Sequence, residues 1–164
     1  MNNYTILHRY IGVGIFLLTL GVYIKTMAPA VSFWDCGEFI ATSYLLGVPH
    51  PPGSPLYVLL GRVFSLFPIA DVAARVTFMS ALSSALAIWC VYCSTLALAR
   101  RALGGNPLIP FGDRRDVGPL SGAVLASLLL AFSYTQWFNA TEAEVYGYSI
   151  FFTCAGLWLI LYWE

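Results

Sequence analysis

Residues 33–62 read FWDCGEFIATSYLLGVPHPPGSPLYVLLGR and gather two acids, a histidine, an arginine and four prolines within a chain that is otherwise largely apolar. Asp35 and Glu38 are three residues apart, so on a helix they share one face. A carboxylate near a bilayer surface loses hydration, its pKa rises, and it can serve as a general base near neutral pH. His50 follows within a His-Pro-Pro-Gly run. A second acidic stretch, Glu142 and Glu144, lies just before Tyr146. Two carboxylates and a histidine form a minimal donor set for a hard metal, which makes a divalent cation the one candidate cofactor.

Each of these residues also has an ordinary role open to it. Asp35 can cap a helix beginning at Cys36, with Glu38 in the third position of a capping box. Glu142 and Glu144 can be solvated charges favoured by a following helix N-terminus. His50-Pro51-Pro52-Gly53 is rich in turn formers. Asn139-Ala140-Thr141 matches the N-glycosylation pattern, but within a few residues of a membrane span.

The elements that must position these side chains are membrane helices. Of 164 residues, 59% are hydrophobic and 10% charged, against about 25% charged in soluble domains. Mean hydropathy is +0.76. Four apolar runs of spanning length are read at about 10–28, 76–99, 119–138 and 146–163. The first is read as a retained helix rather than a cleaved leader, since it is long enough to span and Lys25 can snorkel near its end. Small residues such as Ser80, Ser83, Ser84, Gly122, Ala126 and Gly156 supply close-packing faces. The zero net charge gives no sign of a nucleic-acid partner.

Arg9, Arg100, Arg101, Arg114 and Arg115 assign the N-terminus and loop 100–118 to the cytoplasm. The expected topology is therefore N-in, C-in, with outward loops 29–75 and 139–145 holding every acid of interest. Within the first loop, Pro55–Pro68 is too short to span, and its amphipathic pattern fits a helix lying in the interface. Asp35–Leu46 is a second short surface helix. Cys90, Cys93 and Cys154 fall in apolar runs and read as small buried residues; Cys36 lies outside them with no evident partner.

The order of these features resembles the first outward loop of the protein O-mannosyltransferases, which carry an adjacent Asp-Glu pair and then a His-Pro-Pro-Leu-Gly-Lys run. The matching pieces are Asp35, Glu38, Tyr44-Leu45-Leu46-Gly47 and His50-Pro51-Pro52-Gly53. Pro29–Ser65 is closer still to a membrane family with the motif FWDCGEF…VPHPPG, widespread in bacteria and with an animal member that is a protein O-mannosyltransferase. Trp137–Tyr146 is also similar to that family.

The resemblance implies a C-type (GT-C) glycosyltransferase fold and an inverting transfer of a sugar, mannose first among candidates. The donor would be a polyprenyl-phosphate carrier, and the acceptor a protein or glycan hydroxyl on the extracytoplasmic face. It implies Asp35 as base, Glu38 and His50 as orienting groups, Arg62 for the phosphate leaving group, and Glu142, Glu144 and Tyr146 lining the substrate. Cys36 and Gly37 separate the two acids here, which leaves Asp35 and Glu38 both open as the base. Such enzymes have many more spans, so the chain reads as the N-terminal part of a longer protein, in a bacterial inner membrane with its site on the periplasmic side, or facing the lumen of the endoplasmic reticulum in a eukaryote. The competing reading is a non-catalytic membrane assembly or transport subunit, in which the acids are only caps. A transport site is expected to place charges at mid-membrane, where these spans carry none. A lipid-modifying enzyme of another kind is a third reading.

Overall fold

The computed structural model describes residues 3–104 and 117–163. Arg114 and Arg115 lie outside them. The described residues form seven helices and no strand: α1 (Asn3–Thr26), α2 (Cys36–Leu45), α3 (Pro55–Ser65), α4 (Val72–Ala102), α5 (Val117–Ala131), α6 (Tyr134–Thr141) and α7 (Val145–Trp163). α1, α4 and α7 are each long and apolar enough to cross a membrane; α5 and α6 make a fourth crossing only if taken as one bent span. This is an all-α integral membrane protein.

α4 is the spine. Its buried positions are mostly small (Ala81, Ser83, Ser84, Ala85, Ala87, Ser94), which lets α1, α5 and α7 pack close around it. Ile15, Ile88, Tyr92, Leu96, Ala123 and Ala131 join α1, α4 and α5 in one cluster.

The third span departs from expectation. In place of one helix over 119–138, the chain breaks after Ala131 and restarts at Tyr134, with the two pieces bent by 61°. Ser133 provides the local cause. Its hydroxyl donates to the Leu130 carbonyl at 2.7 Å and accepts from the Gln136 amide at 3.4 Å, closing one helix and capping the next. The restart also makes Asn139–Thr141 the last turn of α6 rather than a loop. The Ala131 carbonyl, at the break, accepts the buried Tyr23 hydroxyl of α1 at 2.9 Å. Tyr23→Phe is therefore expected to lower stability by about 1–3 kcal/mol, because it strands a buried carbonyl. Thermal unfolding in detergent measures this, and an unchanged midpoint would mean that the bond contributes nothing.

The polar groups divide between the two ends of the bundle. At one end the Ala28 amide donates to the Thr141 carbonyl at 2.9 Å, joining the exit of α1 to the end of α6. At the other, the Tyr92 hydroxyl donates to the His8 carbonyl at 3.0 Å, and Arg101 donates to the Leu161 carbonyl at 2.6 Å.

Two arginines hold the short helices in place. Arg62 of α3 donates to the Tyr44 carbonyl in the last turn of α2, at 2.5 Å, and stacks over the Tyr44 ring. Arg75 of α4 does the same for α3, donating to the carbonyls of Ser65, Ile69 and Ala70. A cation at a helix C-terminus satisfies orphan carbonyls and offsets the helix dipole. α2 and α3 also cross closely at Gly61, where a Cβ would collide with the Ser43 side chain.

Candidate active site

The candidate site lies at the end of the bundle where α2 begins and the α6–α7 turn closes. Asp35 sits immediately before α2, and Cys36, Phe39 and Ile40 bury the inner face of that helix against Tyr57, Val76 and Met79. Asp35 and Glu38 are left on the outer side.

The capping reading is corrected here. Asp35 occupies the N-cap position, but its side chain makes no capping bond. Glu38 does not reach back to close a box. Its carboxylate instead takes both hydrogen bonds that His50 offers: the His50 amide at 2.7 Å, and Nδ1 at 2.7 Å. The His-Pro-Pro-Gly turn is thus clamped onto α2, with the His50 ring 5.8 Å from Phe39. The clamp outcompetes the box because one carboxylate receives two donors, one from a group that can be cationic. Asp35 is exposed, and its carboxylate accepts no hydrogen bond among the described residues.

The clamp is pH-dependent. The His50 hydrogen bonds draw the Glu38 carboxyl below its ordinary value of 4.5, and the Glu38 bond lifts His50 above 6.5. For Glu38 the gain is complete above 4.5 and disappears as pH falls through its lowered value; for His50 it is complete below 6.5 and disappears as pH rises through its raised value. The clamp is therefore tightest between these two ordinary values. An NMR titration is expected to place His50 above 6.5 and to bring it down toward 6.5 in Glu38→Gln; a wild-type histidine titrating at or below that value would contradict the clamp.

Glu142 and Glu144 are not a pair of solvated loop charges. Glu142 accepts the Ser32 hydroxyl at 2.7 Å. Glu144 is only 6% exposed. Between them lies the fully buried Cys36 thiol, 3.5 Å from Glu142 Oε2 and 3.7 Å from Glu144 Oε1. Burial, and then the charges of Asp35 and Glu142, push the Glu144 carboxyl above its ordinary value. Its backbone is fixed as well: Ser80 of α4 donates to the Glu144 carbonyl at 3.3 Å, and the buried Tyr57 hydroxyl lies 3.5 Å from the Ser80 oxygen.

Five of the seven singled-out residues thus share one end of the bundle around the start of α2: Asp35, Glu38, His50, Glu142 and Glu144. Tyr146 is exposed one residue into α7. Arg62 is not brought to the acids. It is held by the Tyr44 carbonyl at the far end of α2, and Tyr44 is nine residues, about 13 Å along the helix axis, from Asp35. Cys36 and Ser32 are the additions, and only their hydrophilic contacts across more than 100 residues of sequence reveal them. Donor atoms of Asp35, Glu38 and His50 all lie within 4.8 Å of one another, an oxygen–oxygen–nitrogen set that suits a divalent cation once His50 turns from Glu38.

The family described as the protein O-mannosyl-transferase TMEM260 N-terminal domain matches residues 35–164, beginning at the candidate base. The chain belongs to this family. A mouse protein O-mannosyl-transferase TMEM260 is 29% identical over 136 residues, covering 82% of this chain and 17% of the mouse protein. A protein O-mannosyl-transferase of the same name from Dictyostelium discoideum is 27% identical over 141 residues, covering 84% of this chain and 15% of its own length. The chain thus spans about a sixth of the TMEM260 relatives it matches. No solved structure matches it. The resemblance to O-mannosyltransferases read from Asp35, Glu38 and the His50 turn holds, and the TMEM260 N-terminal domain is the family that carries it.

Proposed function

We propose that this chain carries the acid–base site of a membrane O-mannosyltransferase that moves mannose from a polyprenyl-phosphate carrier to a hydroxyl of a protein acceptor. The observation that carries this reading is the division of labour between Asp35 and Glu38. Glu38 spends its carboxylate on His50 and positions the turn, while Asp35 stays exposed and unbonded beside it. The relatives' names supply the reaction class.

In this reading Asp35 takes the proton of the acceptor hydroxyl as its oxygen attacks the anomeric carbon. The carbon–oxygen bond to the carrier phosphate breaks, the carrier phosphate leaves with the bonding pair, and the anomeric configuration inverts. Glu144, raised above its ordinary value by burial and by the charges of Asp35 and Glu142, adds a buried carboxyl to the same end of the bundle. A divalent cation would need the Glu38–His50 pair to open; held by Glu38 and His50 it would offset the negative charge of the leaving phosphate while Asp35 stays free as the base. Arg62 has no part in this arrangement. The segregation of Arg9, Arg100 and Arg101 to the opposite end supports an extracytoplasmic site.

The test is to assay the complete protein in membranes with radiolabelled polyprenyl-phosphate mannose and a Ser/Thr peptide. Transfer to the peptide is expected, and it is expected to fall on chelation and recover with Mn²⁺. No transfer under any condition would overturn the transferase reading; transfer unchanged by chelation would remove the cation alone.

A further inference from the structure

The segment that joins α1 to α2 ends on Asp35. Between Ala28 and Asp35 no backbone hydrogen bond among the described residues ties it to the rest of the bundle. It is tied through side chains instead, and two of these ties meet on one carboxylate. Ser32 donates to Glu142 Oε1 at 2.7 Å, and the buried Cys36 thiol lies 3.5 Å from Glu142 Oε2, slightly nearer than Glu144 Oε1 at 3.7 Å. The two donors stand three residues before Asp35 and one residue after it. Glu142 itself projects from a fixed turn. It closes α6, its carbonyl accepts the Glu144 amide at 2.9 Å, and the Thr141 carbonyl beside it accepts the Ala28 amide.

We propose that Glu142 is a positioning residue for Asp35: by bracketing residues 32 and 36 it fixes where the base stands. The role rests on the transferase reading above, and it takes the place of the substrate contact that the resemblance implies for Glu142. A general base acts only from the right place, and a displacement of about 1 Å can lower a rate about 10²-fold. The Asp35 carboxylate has no hydrogen bond among the described residues to hold it, so its position follows from its backbone. Three acids then divide the work. Glu38 holds the His50 turn, Glu142 holds the entry to α2, and Asp35 between them is left for the proton. α2 does not depend on the bracket, because Phe39 and Ile40 pack its inner face against Tyr57, Val76 and Met79.

A nitroxide attached through Phe33→Cys, at an exposed position of the turn, reads the bracket by EPR in the complete protein, independently of turnover. Glu142→Ala is expected to shorten the label's correlation time about twofold or more, while a label attached through Leu45→Cys on α2 moves as before. In kinetics, Glu142→Ala is expected to lower kcat about 10- to 100-fold and to leave the donor and acceptor KM within about threefold. Ser32→Ala is expected to give a smaller loss of the same kind, and Ser32→Thr, which keeps the hydroxyl, to restore it. Because Glu142 acts through Asp35, adding Glu142→Ala to Asp35→Asn is expected to cost less than about threefold more. A raised KM with kcat intact, or losses that multiply in the double variant, would overturn the proposal in favour of a substrate contact. An unchanged label at position 33 would overturn it whatever the kinetics. A freed label in a protein whose wild type transfers nothing would overturn the transferase reading, and the base with it, leaving the bracket as a tie within the fold.

Discussion

Asp35→Asn is expected to lower sugar transfer by about 10²–10⁴-fold, the range typical of losing a positioned general base. Asparagine matches aspartate in size but cannot take the acceptor proton. The fold has little to lose, because Asp35 is exposed and its carboxylate makes no cap or other hydrogen bond among the described residues; surface changes of this kind usually stay within about 0.5 kcal/mol. A comparison with Glu38→Gln makes the prediction sharp. That variant loosens the His50 clamp, so it is expected to lose less activity and to lose it through displacement of the 48–54 turn. Transfer rates measured at equal protein levels decide between them. Wild-type turnover in Asp35→Asn, or a deeper loss in Glu38→Gln, would move the base to Glu38.

Gly147→Ala is expected to destabilise the described bundle. Gly147 lies where α7 presses against α4. An added Cβ would run into the Ser84 hydroxyl, which can rotate away, and would stand 3.3 Å from the carbonyl oxygens of Ser80 and Asn139, which cannot. Overpacking of this kind costs about 1–3 kcal/mol. The site should feel it too, since Ser80 also holds the Glu144 backbone. Gly156 on the same helix provides the control: nothing lies within 4 Å of its Cβ position, and alanine there gains about 0.5–1 kcal/mol of helix propensity. Thermal unfolding in detergent should separate the two variants in opposite directions. Coincident midpoints would show that α4 and α7 are not packed this tightly.

What the sequence made legible follows from how far apart the deciding residues lie. α1, α4 and α7 announce themselves through composition alone. α3 is visible in the spacing of Leu56, Leu59, Leu60, Val63 and Phe67 against Arg62. The break in the third run is not visible, because Ser133 is only one of several polar residues there (Ser121, Ser127, Thr135, Gln136) and the Ala131 carbonyl depends on a tyrosine 108 positions away. The acids show the same limit. The Asp35–Glu38 spacing matches a capping box, yet the carboxylate goes to His50, twelve residues on. Arg62 is suited in principle to phosphate, but the Tyr44 carbonyl engages it. Cys36 reads as partnerless because its neighbours are supplied by the other loop.

That placement of Cys36 has a redox consequence. Burial, reinforced by Glu144 and Glu142, pushes the thiol up to about 12. At neutral pH this disfavours the thiolate, the only form that attacks a disulfide. The sulfur is fully covered as well. Cys36 can therefore face an oxidising compartment or a reducing one without forming a mixed disulfide, and it remains an S–H donor to the two carboxylates in either. The acids that make the site polar also keep its one cysteine out of thiol exchange.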